Sequence, residues 1–292
     1  MFEGFARKQI TTSGAEIALM QGGKGSPLLL VHGYPQSHVM WHKVAPRLAE
    51  HFTVVVPDLR GYGASSKPPT DANHLPYSKR AMALDMVEVM TALGFDKFAI
   101  AGHDRGGRVT YRLALDHPDR VTRVAVLDIM PTIEQFERMD RNGARRAYHW
   151  YFLTQPAPFP ETLIGKDPDY YLDHTLQSWC ATPGAFTPEA LAAYHEAFRD
   201  PAVIHATCED YRAGIGCDCA FDDADRKAGR KIKAPFLALW GAPSRSNQRP
   251  EMLEVWRKWA DDARGQPLDC GHFIPEEAPE PLTARLLDFF GG

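Results

Sequence analysis

Three residues far apart in the chain, Asp104, Asp128 and His272, have the types and settings of a nucleophile, an acid and a base. Asp104 sits in Ala99-Ile100-Ala101-Gly102-His103-Asp104-Arg105-Gly106-Gly107. An apolar strand ends at Gly102 and a helix begins just after Asp104, so the spacing is Gly-x-Asp-x-Gly across a strand-to-helix turn. Small residues at Gly102 and Gly106 let the backbone turn sharply and pack closely. The helix N-terminus favours the ionised carboxylate. In isolation this pattern also fits a helix-capping aspartate in a glycine-rich turn; its partners elsewhere in the chain give it a chemical reading. A carboxylate nucleophile displaces a leaving group at carbon and forms an alkyl ester on the enzyme. Water must then attack that ester, and a base must activate the water. Carbon–halogen bonds and epoxides suit this route.

The base is placed at His272, in Asp269-Cys270-Gly271-His272-Phe273, after the last strand and before the last helix. The chain order nucleophile, acid, histidine puts it there. The acid can follow either of two strands. Asp128 ends the run Val124-Ala125-Val126-Leu127, whereas Trp240-Gly241-Ala242-Pro243-Ser244 offers no carboxylate. Asp128 is therefore the residue expected to orient His272 and stabilise its protonated form.

These residues need a frame that brings them together. Leu28-Leu29-Leu30-Val31, Thr53-Val54-Val55-Val56, the stretch 97–101 and Val124-Ala125-Val126-Leu127 are short apolar runs of buried-strand type. Between them, Met82, Met86, Val89 and Leu93 recur at helical spacing over 78–93, with Ser78 able to cap the start. Strand–helix–strand alternation implies right-handed crossovers and a mostly parallel sheet flanked by helices, an α/β core. The pattern breaks over 131–231, which reads as helix and loop punctuated by Pro156, Pro158, Pro160, Pro168, Pro183 and Pro188. Strand character resumes at Phe236-Leu237-Ala238-Leu239-Trp240, and a helix follows over 251–260. The organisation expected is a core domain of 1–130 and 232–292, interrupted by a helical cap domain of 131–231. Ser244 to Arg249 and the segment from Gly216 to Asp223 receive no assignment.

Bulk properties narrow the partners. A net charge of −4 gives no clustered basic face for a phosphate backbone, so no nucleic-acid partner is expected. No run of about 18 apolar residues points to a membrane span, and the first residues lack the apolar core of a secretory signal. Five cysteines, an odd and scattered set, fit reduced thiols in a cytoplasm better than a disulfide framework. Cys217 and Cys219 lack further ligands at metal-site spacing, and the chemistry outlined needs no metal or organic cofactor.

The chain resembles the epoxide hydrolase and haloalkane dehalogenase branch of the α/β-hydrolase superfamily, and within it the haloacetate dehalogenases. The resemblance spans nearly the whole length. It rests on His32-Gly33-Tyr34-Pro35-Gln36-Ser37, on Pro57-Asp58-Leu59-Arg60-Gly61-Tyr62-Gly63-Ala64-Ser65, on the turn at Asp104, on the setting of Asp128 and on Gly271-His272-Phe273. The first two motifs mark the branch and do not choose a substrate. The residue after the nucleophile is often Trp in this branch; Arg105, as in haloacetate dehalogenases, does help choose. Arg105 and Arg108 are three apart at a helix start and share a face. Two guanidinium groups there would hold a substrate carboxylate in a planar fork, aim its alpha carbon at Asp104 and keep Asp104 ionised.

The resemblance further implies a halide pocket formed by His149, Trp150 and Tyr211, with Trp179 as an aromatic wall. Tyr34 falls at the oxyanion-loop position, where the family commonly has Phe. Its backbone N–H and that of Arg105 would stabilise the intermediate of ester hydrolysis. The activity implied is hydrolytic dehalogenation of haloacetates, fluoroacetate among them, to glycolate and halide, by a homodimer acting on a small halogenated carboxylate. An epoxide hydrolase would use Asp104, Asp128 and His272 alike and draw on Tyr148, Tyr151, Tyr170, Tyr171, Tyr194 or Tyr211 to protonate the epoxide; it has no need of the arginine pair. A non-catalytic ligand-binding protein on the same fold is the reading from another class, and a serine esterase is disfavoured by Asp at the turn.

Overall fold

The computed structural model describes residues 1–242 and 251–291. The unassigned Ser244 to Arg249, and the Pro243-Ser244 end of the segment searched for an acid, lie outside the described residues. Eight strands form one sheet: β1 (Ala6–Thr11), β2 (Glu16–Gly22), β3 (Ser26–Val31), β4 (Phe52–Pro57), β5 (Phe98–His103), β6 (Val121–Leu127), β7 (Phe236–Gly241) and β8 (Ala263–Leu268). Their order across the sheet is β1-β2-β4-β3-β5-β6-β7-β8. Strands β3 to β8 pair in parallel, and only the β1–β2 and β2–β4 ladders are antiparallel.

The four apolar runs legible in the first half become β3, β4, β5 and β6, and the fifth becomes β7. Leu28 to Val31, Val54 to Val56, Ile100, Ala101 and Val124 are all buried, because helices cover both faces of a parallel sheet. Helix α1 (Lys79–Ala92) starts where the sequence places it, with the Ser78 side chain accepting from the Ala81 N–H at 3.1 Å. Helix α2 (Asp104–Asp116) follows β5 without a connecting residue.

Between β6 and β7 the chain is helical, with no strand from 131 to 231. The prolines that punctuate this stretch often start its helices. Pro168, Pro188 and Pro201 each open a helix behind a side-chain cap from Asp167, Thr187 and Asp200. Proline costs nothing there, because the first helical N–H has no intrahelical acceptor. The segment that carried no assignment forms a π-helical turn, Gly214–Asp218, running into a helix, Cys219–Lys227. That helix is tied to α2 by a buried ion pair of Arg112 with Asp225 and by Tyr111 Oη donating to Asp222 Oδ2 at 2.8 Å.

The register aligns the strand ends. Val31, Gly102 and Val126 are neighbours across β3, β5 and β6, and Val126 pairs with Ala238 of β7. The loops after these strands therefore emerge on one edge of the sheet, the carboxyl edge where open α/β sheets bind ligands. Among the described residues no helix is long and apolar enough to cross a membrane.

Candidate active site

Asp104 lies where β5 hands over to α2, and its φ of 47° is in the left-handed region. A non-glycine residue held there is strained, and such strain persists only where the surroundings enforce it. Gly106 lets the turn pack this closely: a side chain at that position would collide with the carbonyl oxygen of His32. The turn fixes the Asp104 carboxylate, which is 6% exposed, under the loop that follows β3. Tyr34 in that loop donates its backbone N–H to Asp104 Oδ1 at 2.9 Å. The other oxygen, Oδ2, faces His272 Nε2 at 3.9 Å.

Asp128 follows β6 and also adopts a left-handed φ, of 56°. Its Oδ1 accepts the backbone N–H of Gly241, at the end of β7, at 2.8 Å. Its Oδ2 receives His272 Nδ1 at 2.6 Å. A carboxylate at Nδ1 places the ring proton there and leaves Nε2 free to accept one. Nε2 is buried and has no hydrogen-bond partner among the described residues. Among the described residues, the carboxylate that meets His272 is Asp128, and the end of β7 offers it a backbone donor, the Gly241 N–H.

Charge follows the geometry. Burial disfavours protonated His272, yet the hydrogen bond and charge of Asp128, together with Asp104, hold its pKa above the ordinary value. Burial likewise works against ionised Asp104, and the neighbouring His272, His103, Arg105 and Arg108 outweigh it and keep the carboxyl below its usual range. His103, which the sequence reading passed over, is fully buried beside Asp104. Its Nε2 donates to the His272 carbonyl at 2.7 Å, and burial drives its pKa down to about 3.

Arg105 and Arg108 are both buried, at 0% and 2% exposure. They are not surface salt bridges. Arg105 directs Nε and Nη2 at the Asp210 carboxylate, with Nη2 2.6 Å from Oδ1, and Nη2 also donates to the Asp210 carbonyl at 2.8 Å. Asp210 is held in turn by the Lys79 ammonium and by Tyr62 Oη at 2.7 Å. Arg108 donates from Nη1 to the Met130 carbonyl at 2.8 Å. Buried Nη1 of Arg105 and Nε of Arg108 have no hydrogen-bond partner among the described residues. The planar fork expected of this pair is accordingly revised. The Nε–Nη2 edge of Arg105 is already taken by Asp210, which leaves its Nη1, whereas Arg108 engages only Nη1 among the described residues. The neighbour of Tyr211 in sequence, Asp210, carried no signal of this role, because only the folded chain brings it to Arg105 and Lys79.

The aromatic residues close over these cations. The Arg105 guanidinium lies over Tyr211 at 4.2 Å and that of Arg108 over Trp150 at 4.5 Å. Trp150 and Tyr211 meet edge to face at 5.7 Å, His149 and Trp179 ring centres are 4.4 Å apart, and Trp179 meets His272 edge-on at 5.4 Å. The Tyr34 ring packs on Tyr211 at 5.3 Å. Tyr211 Oη and His149 Nδ1 are buried without a hydrogen-bond partner among the described residues. Burial takes the His149 pKa down to about 3, so the ring is neutral at ordinary pH and can donate from one nitrogen. All ten residues singled out in the sequence thus converge on one locus. At its centre are a carboxylate, a histidine and two cations, with buried donors around them that lack partners.

Comparison with known proteins agrees with this construction. The model of the alpha/beta hydrolase fold family matches residues 26–279, and the chain belongs to that family. A fluoroacetate dehalogenase from Burkholderia sp is 48% identical over 99% of this chain and 95% of its own length. A soluble epoxide hydrolase from Corynebacterium sp. (strain C12) is 35% identical over 97% of this chain and 96% of its own. Among solved structures, a protein from Nostoc sp PCC 7120 described as an α/β hydrolase superposes with a TM-score of 0.96 at 51% identity, covering 99% of both chains. Within the family, the chain sits with the haloacetate dehalogenases, and the epoxide hydrolases are more distant.

Proposed function

We propose that this protein hydrolyses haloacetates, fluoroacetate among them, to glycolate and halide through an ester on Asp104. The observation that carries the reading is the pair of buried, unpartnered guanidinium nitrogens, Arg105 Nη1 and Arg108 Nε, on the helix that Asp104 begins. A buried donor without a partner is costly, and a substrate carboxylate satisfies two at once. The 48% identity to a fluoroacetate dehalogenase supports the same substrate class.

The mechanism follows from which atoms are already engaged. Oδ1 of Asp104 is held by the Tyr34 N–H, so Oδ2 is the attacking oxygen. The arginines hold the substrate carboxylate with its alpha carbon at Oδ2. The Oδ2–carbon bond forms as the carbon–halogen bond breaks, and the halide leaves with the electron pair. His149, Trp150 and Tyr211 receive it, and donors aimed at a developing anion lower the barrier. Fluoride gains most, since its charge is the most concentrated. His272 Nε2 then takes a proton from water, the hydroxide adds to the Asp104 carboxyl carbon, and the Tyr34 N–H stabilises the charge gathering on Oδ1, assisted by the Arg105 N–H. Collapse expels the alkoxide of the 2-hydroxyacid, which takes the proton from His272, and leaves Asp104 as the carboxylic acid; loss of its remaining water-derived proton to solvent restores the carboxylate. Asp128 holds the imidazolium throughout.

In this reading 131–231 acts as a cap over a core of 1–130 and 232–292, contributing the halide donors and the wall at Trp179. An odd and scattered set of five cysteines is in keeping with a reducing cytoplasm. The cap exposes Tyr148, Tyr151, Phe159, Leu163 and Tyr170, which supports a homodimer formed through it.

The test is halide release by the purified protein from fluoroacetate and chloroacetate, with styrene oxide alongside, and mass spectrometry of the His272→Asn variant. The variant should retain alkylation and gain a carboxymethyl group on Asp104. Epoxide turnover without halide release, or no adduct on Asp104, transfers the assignment to an epoxide hydrolase or away from covalent catalysis.

A further inference from the structure

The short helix after the catalytic histidine, Ile274–Glu277, carries a carboxylate that the mechanism above does not use. Glu277 Oε2 accepts the backbone N–H of Gly271 at 2.9 Å and of Ala181 at 2.8 Å, and Oε1 accepts the N–H of Phe273 at 2.9 Å. Gly271 and Phe273 are the two residues flanking His272. Ala181 lies in the stretch proposed as the cap, two residues beyond Trp179. A second link runs between the same segments: His272 donates its own N–H to the Trp179 carbonyl at 3.1 Å. The His272 carbonyl accepts from His103. The approach is so close that a side chain at Gly271 would meet the Ala181 nitrogen at 2.6 Å, Glu277 Oε1 at 2.7 Å and the Trp179 carbonyl oxygen at 2.8 Å.

We infer that Glu277 is a positioning residue for His272, clasping the histidine loop to the 179–181 segment through these three N–H groups. The inference rests on the covalent reading, in which His272 acts only after the halide has left. Among the described residues, the hydrogen bonds of the Glu277 side chain do not touch the arginine pair, Asp104 or the halide donors. Its loss therefore acts on one step: the imidazole is displaced from the water it must deprotonate, while alkylation proceeds. Displacements on the ångström scale cost catalysis up to about a hundredfold.

The experiment is a rapid-quench measurement of halide and glycolate with Glu277→Gln, which keeps the side-chain shape but replaces one acceptor oxygen by a donor. The expected result is a halide burst of one equivalent per active site at a rate within about twofold of the parent. A steady state slowed about ten- to a hundredfold follows, with the Asp104 ester visible by mass spectrometry. Glu276→Gln serves as the comparison. Glu276 is buried next door and accepts from Tyr194 Oη at 2.6 Å, and among the described residues its side chain makes no hydrogen bond to the N–H groups of Gly271 or Phe273. It should shift stability without changing the ratio of the two rates. Equal slowing of both steps in Glu277→Gln would mean a merely structural role, and no slowing of either would dismiss the clasp. If Glu277→Gln does not fold, Glu277→Asp, which keeps the charge and shortens the reach, decides between the same outcomes. Failure of the underlying reading shows separately, as absence of any halide burst in the parent protein.

Discussion

The guanidinium of Arg105 is clamped edge-on by the Asp210 carboxylate, with Nη2 2.6 Å from Oδ1 and both groups fully buried. This pair offsets the repulsion between two buried arginines three residues apart. Burial opposes the charge on Arg105, and Asp210 more than offsets it, holding the pKa of Arg105 above its ordinary value. Arg108 has no such partner; burial and Arg105 pull its pKa down.

Asp210→Asn leaves Lys79 and Arg105 buried with their common counter-ion gone. Breaking a buried ion pair from one side costs about 3–5 kcal/mol. Denaturant unfolding should show a loss of that order, and the KM for chloroacetate should rise as Arg105 loses its fixed orientation. Adding Lys79→Met to the same chain should recover part of the stability, since it removes one of the stranded charges. A double variant no more stable than the single one refutes the account.

Arg108→Gln removes a cation without unseating Asp210. Calorimetric binding of an unreactive carboxylate such as acetate should weaken by about tenfold or more, in line with a charge-assisted hydrogen bond of about 1.5–3 kcal/mol. Unchanged acetate binding would place the carboxylate elsewhere.

Trp150→Phe retains a ring for the Arg108 guanidinium to lie over and deletes only the indole N–H. Loss of one donor at a developing anion costs about a hundredfold or more where the charge is concentrated. Fluoride release should fall far more than bromide release from the matching haloacetates. An equal drop for both halides would make Trp150 a packing residue.

Asp104 and His272 should separate the two chemical steps by pH. Asp104 has its pKa held below the ordinary carboxylate value and His272 above the ordinary imidazole value of 6.5. Alkylation needs ionised Asp104 and persists into acid. Ester hydrolysis needs neutral His272 and is lost as pH falls through the raised pKa. Between the two, one equivalent of halide should appear while glycolate stalls, which rapid quenching across a pH series would reveal. Esterification also removes the Asp104 charge that helps to raise the His272 pKa, so the histidine becomes easier to deprotonate once the ester has formed. The acid limb of steady-state turnover should therefore lie below the pKa of His272 titrated by NMR in the free protein.

The exposed residues of the cap bear on assembly. Phe159 and Tyr170, 54% and 70% exposed, should drive self-association if the cap face pairs with a second copy. Sedimentation of a Phe159→Glu, Tyr170→Glu double variant should show a monomer where the parent shows a dimer; two monomers would discard this face.

The sequence by itself determined the central strands, the turn and the order of the catalytic residues. Continuous apolar runs such as Leu28 to Val31, alternating with a helical pattern, point to a sheet covered on both faces, and Gly-x-Asp-x-Gly, read together with Asp128 and His272, points to the tight turn found at Asp104. Nothing in the sequence delineated β1, β2 or β8. The first and last of these lie at the sheet's edges, where one side faces water and Ala263–Leu268 needs no apolar run. Local patterns also placed Arg105 and Arg108 on one face of α2, because three residues of helix carry that information. The partners of those arginines were decided by tertiary structure alone. Asp210, Lys79 and Tyr62 come from three distant segments, and no periodicity links them. The same holds for Glu277, whose clasp on Ala181 joins residues 96 apart. Short-range spacing encodes which chemistry a chain can attempt; the long-range contacts that hold each charged group in place exist only once the chain has closed on itself.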